Sequence, residues 1–334
     1  MRFVVTGATG LVGANLALLL REAGHDVRCT RRAGSRSRIG HLDGHGIEWI
    51  EADVTDAESL PRSFDGADGV FHCAAAVSVR RKITPEMVLT NVVGTRNVAR
   101  AVRRAGAGRL VHVSSVVAVG LSEDGRAVDE SARWNFDREG LDDAYAITKR
   151  DAEQVIAEEL AAGGLDAVIV NPAYMFGPYD QRPSSGAMII DVARRKTPGS
   201  STGINNFVDV RDVCRSMIAA HARGRRGERY ILGGHNLRYA EIFRRIATIA
   251  GVKPPSRIIP RWLARPIGWA GDLAEAITGK GALINSNTLA WAYTSSFHFT
   301  SAKAERELGH AISPIEPAIE DAIGWFREHG MLRA

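Results

Sequence analysis

The chain alternates short apolar runs with longer amphipathic stretches. In the first half, the apolar runs predict strands over 3–5, 26–30, 47–50, 69–72 and 110–113. Between them, apolar residues recur at helical spacing and predict helices over 11–23, 56–63, 85–105 and 142–162. Such alternation indicates βαβ units around a parallel sheet. With further strands at 165–170 and 229–232, the pattern predicts an α/β fold with a doubly wound parallel sheet of about seven strands.

After Asn171-Pro172 this rhythm loosens, and loops rich in Gly, Ser, Pro and Asn separate shorter helices. We therefore expect a sheet core formed by residues 1–171 and 207–232. A smaller C-terminal lobe, formed by 172–206 and 233–334, would bind the substrate. Within this lobe, residues 257–279 combine apolar side chains and arginines near helical spacing. That pattern favours an ordinary core helix, with a lid or a membrane-surface contact as alternatives.

Composition narrows the class of protein. Of the 334 residues, 45% are hydrophobic and 24% charged, which is typical of a globular protein. The net charge is +5, but the arginines are scattered and no aromatic-interleaved basic stripe appears, so no nucleic-acid partner is expected. The three cysteines are widely spaced and predict neither a disulfide framework nor a metal site. No signal peptide and no long apolar span is recognisable, so the expected location is the cytoplasm.

A glycine-rich turn follows the first predicted strand and opens the first predicted helix. Its sequence is TGATGLVG, from Thr6 to Gly13. Glycines permit a sharp turn and close approach to a pyrophosphate, and the helix N-terminus supplies N–H groups for it. This context predicts a Rossmann-type dinucleotide site. The expected contacts are Gly7, Thr9, Gly10, Leu11, Val12 and Gly13.

The end of the second strand indicates which dinucleotide is preferred. Arg31 and Arg32 stand where an NAD-preferring site would carry an acidic residue. Guanidinium groups suit a 2′-phosphate, so NADP(H) is the predicted cofactor, with NAD(H) as the alternative if these arginines are only solvated charge. Arg36 and Arg38 would reinforce the patch. Asp53 and Val54 are expected near the adenine, and the small side chains of Ala74, Ala75 and Ala76 near a ribose.

The candidate catalytic residues lie in the helix predicted over 142–162 and at the end of the fifth predicted strand. Tyr145 and Lys149 are four residues apart and share one face of a helix. A neighbouring ammonium, with an oxidised nicotinamide, would lower the phenol pKa and make Tyr145 a general acid or base. Ser114 and Ser115 end the fifth strand, where a hydroxyl can polarise a carbonyl oxygen. A Tyr–Lys pair alone is common on exposed helices, so its weight comes from this combination.

Together these motifs resemble the extended short-chain dehydrogenase/reductase family, of the NAD-dependent epimerase/dehydratase type, along nearly the whole chain. Further matching segments are NVVGTRN (91–97), SSVVAVG (114–120), YAITK (145–149), NPAYMFGP (171–178) and FVDVRDV (207–213). The resemblance implies that Ser115 rather than Ser114 is the catalytic hydroxyl, and that Asn91 holds a relay water or the active-site backbone. It also implies cofactor contacts from Ser114, Tyr145, Lys149, Pro172, Ala173 and Met175, and a homodimer paired through helices 85–105 and 142–162.

Within that family the chain looks closest to dihydroflavonol reductases, 3β-hydroxysteroid dehydrogenases and hopanoid-associated proteins. Asn171-Pro172 replaces an Arg-Pro pair, and Asn205-Asn206 an Arg-Asp pair, that are more usual in nucleotide-sugar enzymes. We therefore expect an NADP(H)-dependent enzyme that interconverts a ketone and a secondary alcohol on a hydrophobic small molecule, such as a steroid, terpenoid, flavonoid or polyketide. The alternatives are a nucleotide-sugar epimerase or dehydratase that retains its cofactor, and a non-catalytic dinucleotide sensor.

Overall fold

A computed structural model describes residues 1–35, 39–78, 82–137, 141, 143–278 and 285–333. Arg36 and Arg38, which the sequence associates with the cofactor patch, lie outside these residues, as does the first residue of the helix predicted over 142–162. None of the described helices has the length and apolar character that crossing a bilayer requires.

Seven parallel strands form the main sheet of the described chain. In chain order the strands are β1 Arg2–Thr6, β2 Asp26–Arg31, β3 Glu48–Glu51, β4 Gly69–His72, β5 Arg109–Val113, β6 Ala167–Pro172, β7 Tyr174–Phe176, β8 Ile204–Asp209, β9 Arg229–Leu232 and β10 His235–Arg238. The main sheet has the order β3-β2-β1-β4-β5-β6-β9, and every neighbouring pair is parallel. This confirms the predicted doubly wound fold, whose strand order reverses direction between β1 and β4.

The helices follow the predicted alternation. They are α1 Leu11–Glu22, α2 Pro61–Phe64, α3 Pro85–Met87, α4 Gly94–Arg104, α5 Ala144–Ala161, α6 Gly186–Ala193, α7 Val210–Arg223, α8 Tyr239–Ala250, α9 Arg261–Thr278, α10 Ser286–Tyr293, α11 Ala302–Leu308 and α12 Glu316–Glu328. Short 3₁₀ turns lie at Gly40–Leu42 and Val116–Ala118, and a π-helical segment, Val88–Val93, joins α3 to α4.

Two of the predicted helices differ from the structure. The helix expected over 56–63 is reduced to α2, because Asp56 and Ser59 bond to backbone groups and compete with helix formation. The Glu58 N–H donates to Asp56 Oδ1 at 3.1 Å, and Ser59 Oγ donates to the Asp56 carbonyl at 2.8 Å. The helix expected over 85–105 is interrupted by the π-helical segment, a feature that apolar periodicity does not reveal.

The core lies on both faces of the main sheet. Alternate residues of β1 divide between the faces, with Phe3 and Val5 in one apolar cluster and Val4 in another. The first cluster includes side chains of α1 and α7, and the second includes side chains of α4 and α5. This alternation is the period of two that a strand imposes. Because all seven strands are parallel, their carboxyl ends lie at one edge of the sheet.

The smaller sheet has the order β10-β8-β7 and packs with α6, α8 and α12 around a separate apolar cluster. Phe176 and Phe207 stack within that cluster, with ring centroids 5.7 Å apart. The helix α9 is different, because only Ala264 and Gly268 among its residues are buried. The interpretation of residues 257–279 as an ordinary core helix is therefore wrong, since their large apolar side chains face outward.

Candidate active site

The candidate site lies where the loops after β1, β4, β5 and β6 meet at the carboxyl edge of the main sheet. In open α/β sheets, ligands bind at the position where the strand order reverses, which here lies between β1 and β4. The turns that follow these two strands touch. A Cβ added to Gly7 would lie 2.6 Å from the Ala74 backbone nitrogen. The predicted glycine turn and the alanine run therefore form one surface.

The three glycines of the turn differ in whether and why the structure requires glycine at their position. Gly7 has a φ of +72° as well as the close contact with Ala74. A Cβ on Gly13 would lie 2.5 Å from the Gly7 carbonyl oxygen, so the packing of helix against turn requires glycine there. Gly10 is exposed, and its nearest neighbour would be the Gly7 oxygen at an ordinary 3.5 Å. Nothing within the described chain requires glycine at position 10, which fits the close approach of a bound dinucleotide.

The first turn of α1 is open to an anion. Gly10 is the N-cap, no side chain caps the helix, and no acidic residue stands in its first turn. Leu11 is buried and Val12 half-buried. As the first residues of α1, they have backbone N–H groups that point toward the helix start without an intrahelical partner. Thr9, in the preceding turn, is half-buried. This arrangement fits the pyrophosphate of a dinucleotide.

A cleft of about 560 Å³ lies at the ends of β2 and β3. Arg32, Asp53 and Arg182 are among its lining residues. Asp53 Oδ1 accepts hydrogen bonds from the Thr55 N–H and hydroxyl, at 2.9 and 2.8 Å. Asp53 is thereby fixed in a position where an adenosine group could reach it.

Arg31 and Arg32, the two arginines of the predicted cofactor patch, have different surroundings. The Arg31 guanidinium lies 5.9 Å from the centroid of the Trp49 ring, and Arg31 is absent from the cleft lining. Successive side chains of an extended segment point to opposite sides, so Arg32 faces the cleft when Arg31 does not. Val54 is buried beside Gly94, and its carbonyl accepts a hydrogen bond from Asn97 Nδ2 at 3.0 Å.

Asn91 holds the loop after β4 against the catalytic helix. Its Oδ1 accepts a hydrogen bond from the Ala76 N–H at 2.7 Å, and its Nδ2 donates to the Ala76 carbonyl at 3.0 Å. The same Nδ2 donates to Thr148 Oγ1 at 3.0 Å. Ala74 and Ala75 are half-buried in this loop. Asn91 therefore orders backbone at the site, one of the two roles that the family resemblance implies.

Ser115, Tyr145 and Lys149 lie together at the ends of β5 and α5. The Tyr145 hydroxyl lies close to the Ser115 side chain, whose hydrogen bonding acts to lower the phenol pKa. Lys149 Nζ lies 5.9 Å from the centroid of the Tyr145 ring and donates a hydrogen bond to the Val113 carbonyl at 2.8 Å. Ser114 is buried, and its N–H donates to the Val170 carbonyl at 2.8 Å. Of the two serines, Ser115 is the one in contact with the tyrosine.

Burial dominates the ionisation of this pair. It lowers the pKa of Lys149 to about 8, although the nearby Cys73 and Glu153 act in the opposite direction. Burial also raises the pKa of the Tyr145 phenol, the Asp143 carboxylate raises it further, and the hydrogen bond to Ser115 opposes both. This direction is opposite to the one that a neighbouring ammonium alone would cause, because burial is the largest effect on the phenol. At neutral pH the phenol therefore keeps its proton.

The segment after β6 adjoins this group. Asn171 Nδ2 donates to the Ser115 carbonyl at 2.9 Å and to Glu153 Oε1 at 2.6 Å. Pro172 ends β6, and the Ala173 N–H donates to the Leu232 carbonyl at 3.2 Å. Met175 follows in β7 and packs against the core of the main sheet. The predicted cofactor contacts Pro172, Ala173 and Met175 thus follow directly after Asn171, which is bonded to the Ser115 carbonyl.

The smaller lobe fixes the start of the catalytic helix. Asp143 is the N-cap of α5, and its Oδ1 accepts a hydrogen bond from the Ala146 N–H at 2.8 Å. Its Oδ2 accepts hydrogen bonds from Asn287 Nδ2 at 3.0 Å and from Trp291 Nε1 at 2.8 Å, both on α10. Tyr145 is therefore positioned by a carboxylate that α10 holds in place.

Several of these supporting residues are missed by the sequence analysis. They are Asp143, Thr148, Glu153 and Arg182, together with the structural role of Asn171. Asp143 carries a readable signal, because Asp is a preferred N-cap and stands at the start of the predicted helix. Arg182 reaches the cleft from a distant loop, and no local pattern indicates such a contact.

Asn205 and Asn206 lie in β8 of the smaller sheet, and the side chains of both form hydrogen bonds with neighbouring groups. Asn205 Nδ2 donates to the Tyr239 hydroxyl at 3.0 Å, and Asn205 Oδ1 accepts from the Asn206 N–H at 2.8 Å. Asn206 bonds to Asn236 Oδ1 at 2.8 Å and accepts from the Gly234 N–H at 2.6 Å. Both side chains are buried in the small sheet and bound to its own groups.

Residues 3–233 match the family described as the NAD dependent epimerase/dehydratase family. A Synechocystis sp. protein named "Putative dihydroflavonol 4-reductase" is 37% identical, over 99% of this chain and 96% of that protein. Sterol demethylase protein B of Methylococcus capsulatus is 35% identical, over 99% of this chain and 100% of that protein.

A solved structure of PA4631, titled a nucleoside-diphosphate-sugar epimerase from Pseudomonas aeruginosa, is also similar. It has a TM-score of 0.82 and 28% identity, and it covers 100% of this chain and 99% of that one. The motifs, the fold and these relatives agree on an enzyme class that uses a nicotinamide dinucleotide. The chain belongs to the NAD-dependent epimerase/dehydratase family of extended short-chain dehydrogenases/reductases.

Proposed function

We propose that this protein is a cytoplasmic NADP(H)-dependent oxidoreductase that interconverts a ketone and a secondary alcohol on a hydrophobic small molecule. The observation that carries this proposal is the position of the buried Lys149 Nζ, 5.9 Å from the centroid of the Tyr145 ring and bonded to Val113 at the end of β5, two residues before Ser115. Bound NADPH would supply the hydride. The chain's own groups then have to bind the carbonyl oxygen and deliver a proton to it.

The protonation state of the site suits that task. The Tyr145 phenol keeps its proton at neutral pH because burial raises its pKa, so its hydroxyl proton is available to a developing alkoxide. Ser115 Oγ, close to the same phenol, would donate a hydrogen bond to that oxygen and stabilise its charge. Lys149 would hold the nicotinamide ribose and restore the phenol proton.

Tyr145→Phe tests the chemistry directly. We expect it to lower turnover of a ketone by roughly a hundredfold or more, since positioned acid catalysis contributes that much. The variant keeps the ring and its packing, so its thermal unfolding and its NADPH affinity should match the wild type. Tyr230→Phe is the matched control, because it makes the same change at a residue whose hydroxyl bonds to Glu307 instead, at 3.0 Å. Full turnover by Tyr145→Phe would reject the mechanism.

The cofactor preference has a sharper test, because only one arginine of the pair lines the cleft. We expect NADPH to bind more tightly than NADH, and Arg32→Ala to lose most of that difference through the lost phosphate contact. Arg31→Ala is the control, since its guanidinium lies near Trp49 instead. Titration followed by nicotinamide fluorescence gives the affinities. Equal affinity for both cofactors in the wild type would favour an NAD-dependent reaction.

The substrate class is inferred from relatives and from the smaller lobe. The two similar proteins named above carry names that refer to a flavonol and to a sterol, both flat apolar molecules. Asn205 and Asn206 are bound to neighbours within the lobe, which argues against their gripping a sugar diphosphate. Screening of apolar ketones with NADPH would identify the substrate.

The likeness to PA4631 favours a second candidate, epimerisation or dehydration of a nucleotide sugar with a retained cofactor. Purified protein that carries stoichiometric bound dinucleotide and turns over a nucleotide sugar without added cofactor would favour this reaction. Protein that is purified without cofactor and oxidises added NADPH would favour the ketone reductase.

We also propose a homodimer formed through the helical face that contains the π-helical segment. Val88, Leu89 and Val93 are exposed there, at 39%, 46% and 39%. Apolar side chains of this kind gain free energy when a second copy covers them. The molecular mass in solution checks this proposal.

A further inference from the structure

The helix α9 has its small residues inward and its large apolar residues outward. Ala264 and Gly268 are buried, whereas Trp262, Trp269, Leu273 and Ile277 are 69%, 65%, 63% and 75% exposed. Leu263 and Ile267 are exposed as well, at 48% and 53%. We call these six exposed side chains the α9 surface. Clustered exposure of this kind marks an interaction site, whereas single exposed apolar residues do not.

The outward orientation is fixed by what lies beneath the helix. A Cβ on Gly268 would lie 2.8 Å from Leu289 Cδ1, so α9 packs closely on α10 through a position that takes no side chain. Asp272 Oδ1 accepts a hydrogen bond from the Ser286 N–H at 3.0 Å at the start of α10. Rolling the helix to bury its tryptophans would break this hydrogen bond and introduce clashes. The packing of α9 on α10 therefore keeps the α9 surface exposed.

Cations adjoin the α9 surface at its N-terminal end. Lys253, Arg257, Arg261 and Arg265 recur every four residues, and all four are exposed. Among the ion pairs formed within the described residues, none uses any of these four side chains. The acidic residues of α9, Asp272 and Glu275, lie on its partly buried side. The outer side thus presents apolar groups and positive charge together.

We propose that the α9 surface docks reversibly on an anionic lipid bilayer. A helix with Trp, Leu and Ile on one side and arginines beside them suits the boundary between headgroups and acyl chains. Tryptophan prefers that boundary, and basic residues are attracted to anionic headgroups. A second copy of this chain would bring further arginines to the contact without supplying acidic partners from α9, which makes the bilayer the better match in charge.

The location of this surface relates to the catalytic helix. The helix α10, on which α9 packs, donates two hydrogen bonds to Asp143, two residues before Tyr145. Docking would hold the substrate lobe against the membrane, where an apolar ketone or alcohol is concentrated. This consequence rests on the proposed function, whereas the docking itself does not.

Vesicle co-sedimentation of the full chain tests the docking without substrate or cofactor. We expect binding to phosphatidylcholine vesicles that contain phosphatidylglycerol, weaker binding to pure phosphatidylcholine, and loss of binding at high salt. Trp269→Ser/Leu273→Ser should weaken the partitioning roughly tenfold, because it removes buried apolar area. Arg261→Gln/Arg265→Gln should weaken it by a similar factor on anionic vesicles only.

Two control variants test whether vesicle binding depends on the α9 surface or on charged and exposed apolar residues in general. Arg62→Gln/Arg327→Gln makes the same change in net charge on α2 and α12, and Ile312→Ser removes an exposed apolar residue outside α9. Both should bind vesicles like the wild type. Equal loss in the controls, or no binding by the wild type, would overturn the proposal. So would a Trp269→Ser/Leu273→Ser variant of lower oligomeric mass, since a second copy would then be the occupant.

The docking and the proposed chemistry can fail separately. Turnover of a water-soluble ketone with NADPH should be unchanged in the α9 variants, because none of their side chains touches the site. Vesicle binding with no ketone turnover by any form would reject the proposed function and leave the docking in place. Ketone turnover without vesicle binding would reject the docking and leave the proposed function in place.

Discussion

Glu153 lies two turns beyond Tyr145 in α5, on the same side as Lys149. Its side chain is 12% exposed and pairs with Arg229 at 3.5 Å. It also accepts the 2.6 Å hydrogen bond from Asn171, whose amide holds the Ser115 backbone. Its negative charge raises the pKa of Lys149 against the effect of burial. Glu153 is therefore a positioning residue that acts on both Ser115 and Lys149.

Glu153→Gln should move the pH dependence of ketone reduction. Reduction needs the Lys149 ammonium, so the rate should fall as the pH rises through the Lys149 pKa of about 8. Loss of the neighbouring negative charge disfavours the ammonium and should move that alkaline limb to lower pH by roughly half a unit. The measurement is kcat against pH.

Asp151→Asn is the matched control for this shift. Asp151 lies on the same helix, is half-exposed and pairs with Arg150, so its removal should leave the limb in place. A Glu153→Gln limb identical to the wild type would mean that Glu153 only supports the fold.

At the scale of elements, the turn between β1 and α1 separates the requirements of folding from those of binding. Gly13 meets the Gly7 carbonyl, and a methyl group there has no room. Gly10 has that room but stands at the start of the helix, where a phosphate would approach. One motif thus contains glycines of both kinds.

Gly13→Ala should therefore destabilise the protein by about 1–3 kcal/mol through overpacking. Gly10→Ala should leave the free energy of unfolding within about 1 kcal/mol of the wild type, because its added methyl makes only ordinary contacts. Dinucleotide affinity should fall in Gly10→Ala. Urea unfolding and cofactor titration give the two quantities, and a Gly10→Ala protein that binds normally would contradict this division.

The sequence predicts elements whose signals are local. Alternating apolar runs are sufficient to predict the sheet, and the glycine turn is sufficient to predict a candidate dinucleotide site at its edge. The Tyr145–Lys149 spacing is sufficient to predict that the two residues share a helix face. Contacts across the fold are not predictable in this way. The packing of α9 shows why, because its apolar periodicity is the same whether the large side chains face a core or solvent. Only the small residues Ala264 and Gly268, read together with α10, reveal the orientation.

At the scale of the whole molecule, two histidines lie side by side in the centre of the main sheet. His72 of β4 and His112 of β5 are in register, fully buried, with ring centroids 5.4 Å apart. Neither ring nitrogen of His112 has a hydrogen-bond partner among the residues that the structure describes. Burial lowers the pKa of His72 to about 3, with the charge of Lys149 adding to it, and lowers the pKa of His112 well below its usual value.

These two residues should make the fold sensitive to acid. Above the unfolded-state pKa of about 6.5, both states are neutral at these positions and no cost arises. As the pH falls below that value, only the unfolded chain takes up the protons. Stability should then decrease by up to about 1.4 kcal/mol per pH unit for each histidine.

The check is the free energy of unfolding between neutral and mildly acidic pH. His112→Phe should reduce the slope, since Phe has a similar ring and His112 gives up no hydrogen bond. The exposed His45→Gln should leave it unchanged. An unaltered slope in His112→Phe would contradict the assignment.

The bonds from Asn287 and Trp291 to Asp143 join positions that are 144 and 148 residues apart in the chain. During synthesis, the part that recognises the dinucleotide leaves the ribosome long before the part that anchors the catalytic helix. A nascent chain can thus assemble its nucleotide pocket early, whereas its reactive tyrosine reaches its final position only when the last helices are present. For the proposed reaction, the order of translation would delay activity until α10 has been synthesised.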